Sequence, residues 1–298
     1  MIPIPQDSLE GGFVGKKARA IRKIMKGRPT LEGAGVHLHR VFGNAEVPQF
    51  DPFLLFDDFR AYVPEHYLAG FPWHPHRGIE TITYVLSGDV GHGDSMGNKG
   101  VISSGDTQWM TAGSGIIHEE MPRGDHEGKM EGFQLWANLP KSHKMMAPRY
   151  RDIKAAQVPE VRLSSGAKIK VICGKVQGQE GPVREIVIDP EYLDVTMQAQ
   201  SELEHPTAEG YTVFAYVIEG QGYFDEKRQE PVSNGSVCLY EDGDNIRVNT
   251  KAEHVRFLLI SGKPIREPVA WYGPIVMNTD EELQLAFEEY RNGTFIKG

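Results

Sequence analysis

His74 and His76 stand two residues apart, and about forty residues later His118 and Glu120 repeat that spacing with a carboxylate in the second place. In an extended strand, residues i and i+2 face the same way. Each pair therefore converges on one point if its segment is a strand, with Glu119 turned to the other side. Two such strands, paired or facing inside a barrel, bring three imidazoles and one carboxylate together. This donor set holds no thiolate, which argues against a structural zinc site. It suits one divalent ion, and zinc, nickel, manganese or copper would fit as well as Fe(II). In an octahedral shell it leaves two positions for water, O2 or substrate. Glu120 would then act as a ligand, as a base for a substrate hydroxyl, or as both.

The segments around these residues have the composition to place them. Ile79 to Leu86 is rich in β-branched residues, Gly105 and Gly113 bound another run, and Gly132 to Pro140 follows. Strand-like runs separated by glycine turns predict an all-β barrel or sandwich. Gly78-x5-Tyr84-Val85-x2-Gly88 returns as Gly210-x5-Tyr216-Val217-x2-Gly220, and Gly105-x7-Gly113 returns as Gly235-x7-Gly243. The chain thus carries the same unit twice. The ligands do not return: Pro206, Ala208, Val248 and Thr250 fall at the matching places, and His205 has no partner at that spacing. The second unit is expected to be metal-free. The expected organisation is a metal-binding barrel over residues 1–140, a linker over 141–165, a second barrel over 166–275 and a helical tail over 276–298. Thr279 and Glu282 form a capping box for that helix, Leu283, Ala286, Phe287 and Tyr290 its apolar face, and Gly293 its end.

Other polar residues are weaker candidates. His37 and His39 lack a second pair at matching spacing. Glu80 is expected in solvent or behind the ligands, because Glu120 already supplies the carboxylate. His92 and Asp94 lie in a glycine-rich turn and are expected to be exposed. Trp73, Trp109 and Phe133 read as core aromatics more than as pocket walls. Arg77 and Gln134 are candidate outer partners of the ligands.

The 298 residues suffice for two domains, and apolar and charged fractions of 40% and 24% are those of an ordinary globular protein. No apolar run is long enough to span a bilayer, and no secretory signal is evident at the start. Cys173 and Cys238 sit in apolar runs and read as free buried thiols, which fits a reducing, cytoplasmic compartment. A net charge of −9 argues against direct nucleic-acid binding. The one basic run, Lys16 to Arg28, reads as a solvated helix or arm, with contact to an anionic partner as the sharper alternative.

At these motifs the chain resembles the pirin family of the cupin superfamily. The residues that carry the resemblance are Asp51 to Asp57, His74-Pro75-His76-Arg77-Gly78, Trp109 to Gly113, His118-Glu119-Glu120-Met121-Pro122, Gln134 to Pro140 and Ile260-Ser261-Gly262. The resemblance runs from about residue 33 to the end, and the amino-terminal segment looks longer than the family's usual start. It implies two cupin-type β-barrels, with His74, His76, His118 and Glu120 holding one metal, usually iron, in the first. It also implies a quercetin 2,3-dioxygenase-type activity that takes a flavonol-like substrate and O2. The competing implication is a non-enzymatic, iron-responsive regulator that binds a transcription factor or a metabolic enzyme. A metal-binding bicupin without turnover is a third.

Overall fold

β-Branched and aromatic runs between glycine turns leave little room for helix. The computed structural model, which describes residues 17–227 and 230–297, consists of strands, a few single 3-10 turns and one α-helix. Twelve strands lead from the amino terminus: β1 (Ile21–Lys26), β2 (Arg28–Glu32), β3 (Val36–Phe42), β4 (Phe53–Asp58), β5 (Phe71–His76), β6 (Ile79–Ser87), β7 (Asp89–Asp94), β8 (Lys99–Ile102), β9 (Thr107–Thr111), β10 (Ile116–Arg123), β11 (Glu131–Asn138) and β12 (Arg149–Ile153). The first barrel is a seven-stranded sheet, in the order β12-β9-β6-β11-β4-β3-β2, closed by the four-stranded sheet β5-β10-β7-β8. The second barrel repeats the scheme. Its large sheet contains Glu191–Met197, Thr212–Gly222, Ser236–Tyr240 and Val255–Gly262, and the small one pairs Glu202–Pro206 with Asn245–Asn249.

The large sheets of the two barrels pack face to face. Phe42, Phe50, Phe53, Phe56 and Phe133 of the first meet Phe214, Tyr216, Leu258 and Ile260 of the second in one buried cluster. The tyrosines of the sequence repeat bridge this interface reciprocally. Tyr216 donates to Asp58 at 2.7 Å, and Tyr84 donates to Asp194 at 2.7 Å. Each aspartate is also gripped by an arginine of its own barrel, Asp58 by Arg60 and Asp194 by Arg256.

Three expectations differ from what the chain does. The basic run is neither helix nor free arm. Most of its described part forms β1, which pairs with Ser236–Tyr240 at the edge of the second barrel's large sheet, while Arg28 begins β2 of the first barrel. Ile21 and Ile24 pack on that barrel's core, while Arg22, Lys23 and Lys26 face solvent. Arg19 is buried and donates to Thr207 and to the carbonyls of Ala208, Tyr211 and Glu241. Lys16 lies outside the described residues. Strand pairing also crosses the limits set for the linker. β12 pairs with β9 of the first barrel, and Glu160–Arg162 pairs with Lys168–Cys173 of the second.

The third difference concerns the carboxy-terminal end. Ala270–Tyr272 pairs with Ile275–Met277 as a hairpin, and Ile275 bridges to Arg77 of the first barrel. Helix α1 (Asp280–Arg291) follows, with the capping box of Thr279 and Glu282 in place. It ends before Gly293, whose φ of +72° suits glycine. Phe295 then stacks on the Arg77 guanidinium at 4.2 Å. The last stretch of the chain thus returns to the first barrel. Lys144 fastens it from inside, donating to Val276 O, Gly78 O and Asn138 Oδ1. Burial pushes its ammonium down to about 7. Cys173 and Cys238 are buried, and neither is in a disulfide.

Candidate metal centre

β10 alternates as its sequence requires: Ile116, His118, Glu120 and Pro122 are buried, and the residues between them are more exposed. It lies between β5 and β7, with His118 opposite His74 on one side and Asp94 on the other. Gly78, at φ +78°, turns the chain out of β5, and a side chain there would run into the Val276 carbonyl.

The rings of His74, His76 and His118 converge. Their ligand nitrogens all lie within 4.8 Å of one another, and they are the one such group of three or more among the described residues. His74 Nδ1 is 2.8 Å from Pro72 O, and His76 Nδ1 is 3.0 Å from Pro274 O. These carbonyls fix both rings with Nε2 toward the shared point, where the two Nε2 atoms are 3.1 Å apart. The hairpin tip that supplies Pro274 lies almost two hundred residues along the chain from His76.

The residues present fit a metal. His118 is fully buried, and neither of its ring nitrogens has a hydrogen-bond partner. An unpaired buried polar atom costs roughly 1–3 kcal/mol, which an ion on that nitrogen relieves. Burial, then the neighbouring imidazoles, push His118 well below the usual histidine range, and burial chiefly does the same for His76. Both rings are therefore neutral at pH 7, as ligands must be.

A pH dependence follows for the metal-free protein. The folded-state values of His76 and His118 are lowered, so below about 6.5 the unfolded chain binds protons that the folded one refuses. Stability falls as pH drops through that value, by up to roughly 1.4 kcal/mol per pH unit for each ring. Thermal unfolding of metal-free protein from pH 7.5 to 5 measures this slope. A variant lacking His118 should lose about half of the part due to these two rings, and an unchanged slope would refute their assignment.

Glu120 is buried but stands apart from the three-ring group. A register shift between His118 and Glu120 sets it opposite Phe71 of β5. Its carboxylate instead reaches the facing sheet, accepting from Thr83 Oγ1 at 2.9 Å and from Gln134 Nε2 at 2.8 Å. Gln134 is in turn fixed by Trp136, which donates to its oxygen at 3.2 Å. Gln134 is thus an outer partner of Glu120. Arg77 is turned to the carboxy-terminal segment, donating to Ser114 O and Phe295 O and pairing with Glu289.

The remaining candidates fall as follows. His37 and His39 are on the outer side of β3, with His37 stacked on His66. Glu80 is fully buried, not in solvent. It accepts from Thr111 and from Trp109, a ring packed in the inter-barrel core with Phe133, and burial holds its carboxyl above the usual range. Trp73 is half exposed. Trp136, which sequence reasoning passed over, lies edge-on to His76 with ring centroids 5.0 Å apart. With Trp271, Pro274, Phe71, Pro72, Leu55 and Gln134 it lines a cavity of about 500 Å3 onto which His74 and His76 open. In the second barrel His205, which has no partner at the ligand spacing, lies 2.8 Å from Glu191.

His92 and Asp94 are buried, contrary to the expectation that a glycine-rich turn exposes them. Gly91 and Gly93 are strand residues of β7, which pairs along its whole length with β10. His92 stands opposite Glu120, and its ring stacks on Tyr150 at 4.8 Å. The signal was in the sequence, since His92 and Asp94 share the i, i+2 spacing of the ligand pairs.

Two facing-sheet barrels with a three-imidazole centre in the first define a bicupin protein. A profile of the Pirin family matches residues 35–137, and one of the Pirin C-terminal cupin domain matches residues 192–296. A pirin-like protein of Caulobacter vibrioides is 42% identical over 93% of this chain and 99% of its own length. The chain belongs to the pirin family. A crystal structure of quercetin 2,3-dioxygenase from Acinetobacter baumannii superposes with a TM-score of 0.86 at 30% identity, over 94% of this chain and 99% of that one. A pirin from Escherichia coli, solved in complex with nickel(II), shares the fold at a TM-score of 0.62 and 21% identity, over 81% of this chain and 98% of its own.

Proposed function

We propose that this protein is a metal-dependent dioxygenase that opens a flavonol with O2, with His74, His76, His118 and Glu120 holding one ferrous ion. The convergence of three imidazole rings beside a cavity of about 500 Å3, walled in part by aromatic rings, carries this reading. That volume lies within the range that small-molecule ligands occupy. Similarity to the Acinetobacter enzyme supports the choice of substrate class. The ion would supply Lewis acidity and a redox centre for O2.

The chain's own residues do the rest. Trp136, Trp271 and Phe71 offer flat or apolar faces to a planar ring system, in a cavity also lined by Glu32, Arg40 and Asp57. Glu120 completes the ligand set by turning from Thr83 and Gln134 toward the rings. Those two donors also set its second task. They receive the carboxylate back after one of its oxygens has taken the flavonol hydroxyl proton.

The test is O2 uptake and loss of flavonol absorbance by iron-loaded protein. Glu120→Gln, which cannot take the proton, should lower kcat by roughly 100-fold or more while leaving most of the bound iron. Absence of turnover across a panel of flavonols, with iron bound, would overturn the reading.

A further inference from the structure

The three rings are not equally supported. His74 and His76 each present Nδ1 to a backbone carbonyl, whereas both nitrogens of His118 are unpaired. A metal-bound imidazole keeps one N–H off the metal, and that N–H nearly always has an acceptor. On the adjacent strand β7, diagonal to His118, lies a second buried ring with an unpaired nitrogen, His92, with ring centroids 5.5 Å apart. Asp94 Oδ2 is 3.3 Å from His92 Nε2. Asp94 is itself held by Met96 N, Asn98 N and Asn98 Nδ2, all donors, which marks it as an ionised acceptor. The proton between them therefore sits on His92 Nε2. On the neutral ring, His92 Nδ1 is then a lone pair, fully buried and without a hydrogen-bond partner. Tyr150 stacks on the same ring and limits its movement.

We infer that the Asp94–His92 pair is the outer partner of the metal centre: His92 Nδ1 accepts the N–H of metal-bound His118, directly or through one water. Asp94 fixes the His92 tautomer, His92 orients His118, and His118 faces the ion. His92 is a positioning residue and touches no substrate. The inference rests on the three-histidine metal site and not on the reaction proposed for it.

Co(II) binding tests it, because the ion's visible absorption reports ligand geometry without any turnover. His92→Phe keeps a ring against Tyr150 and removes the acceptor, and His92→Gln keeps an acceptor. The phenylalanine variant should bind Co(II) on the order of 10–100-fold more weakly than the parent, with a changed absorption envelope. The glutamine variant should recover part of the affinity and the parental envelope. Equal affinity and identical spectra for parent and His92→Phe would overturn the inference. So would equal weakening in both variants, since that reports packing alone. Should His92→Phe fail to fold, the glutamine variant decides: parental affinity and envelope support the acceptor role, and affinity as low as that of a variant lacking His118 refutes it. A parent that binds no Co(II) would instead remove the metal site itself.

Discussion

His118→Leu should abolish ion binding and yet raise the unfolding temperature of the metal-free protein. Both effects have one cause. The imidazole is fully buried with neither nitrogen paired, so without an ion it is a liability of roughly 1–3 kcal/mol. Leucine removes the two polar atoms and fills much of the same space. For a chain of this size each kcal/mol corresponds to roughly 2–4 °C. The parent gains about 2.7 kcal/mol from an ion at a hundred times its Kd, and the variant should gain none. O2 uptake should fall to background. Thermal unfolding with and without Co(II), for parent and variant, measures all of this. A variant that keeps the ion-dependent shift would remove His118 from the ligand set. A variant less stable than the parent without metal would show that the orphaned nitrogens carry no cost.

Asp58→Ala should be the most damaging substitution at the inter-barrel interface, at roughly 3–5 kcal/mol. Asp58 holds Arg60 through paired hydrogen bonds and accepts from Tyr216 of the other barrel. Arg60 also donates to Ile218 O across the same interface. Removing the carboxylate leaves a largely buried guanidinium and a buried phenol without their partner. Tyr216→Phe, by contrast, leaves the Arg60–Asp58 pair intact and should cost only about 0.5–1.5 kcal/mol. Denaturant unfolding of both variants and the double variant separates the contributions. The double variant should cost less than the sum, because the phenol no longer loses a partner. A cost below 1 kcal/mol for Asp58→Ala would mean that the aromatic cluster alone holds the barrels together.

Much of this protein is local in origin, and that part was legible in the residues alone. The i, i+2 spacing of His74 and His76, and of His118 and Glu120, fixes a shared face in any strand. The glycine-spaced repeat marked two related barrels, and Thr279 with Glu282 marked the start of α1. Tertiary structure decided what depends on residues far apart in sequence. It drew Glu120 toward Thr83 and Gln134 on the facing sheet, because a shifted register turns the carboxylate across the barrel. It made Pro274 a partner of His76, because the chain end folds back over the first barrel. It placed most of the basic run in the second barrel and buried His92 with Asp94, since a strand's surroundings are set by the strands beside it and not by its own composition. Alternation says which residues share a side, and only the closed barrel says what that side meets.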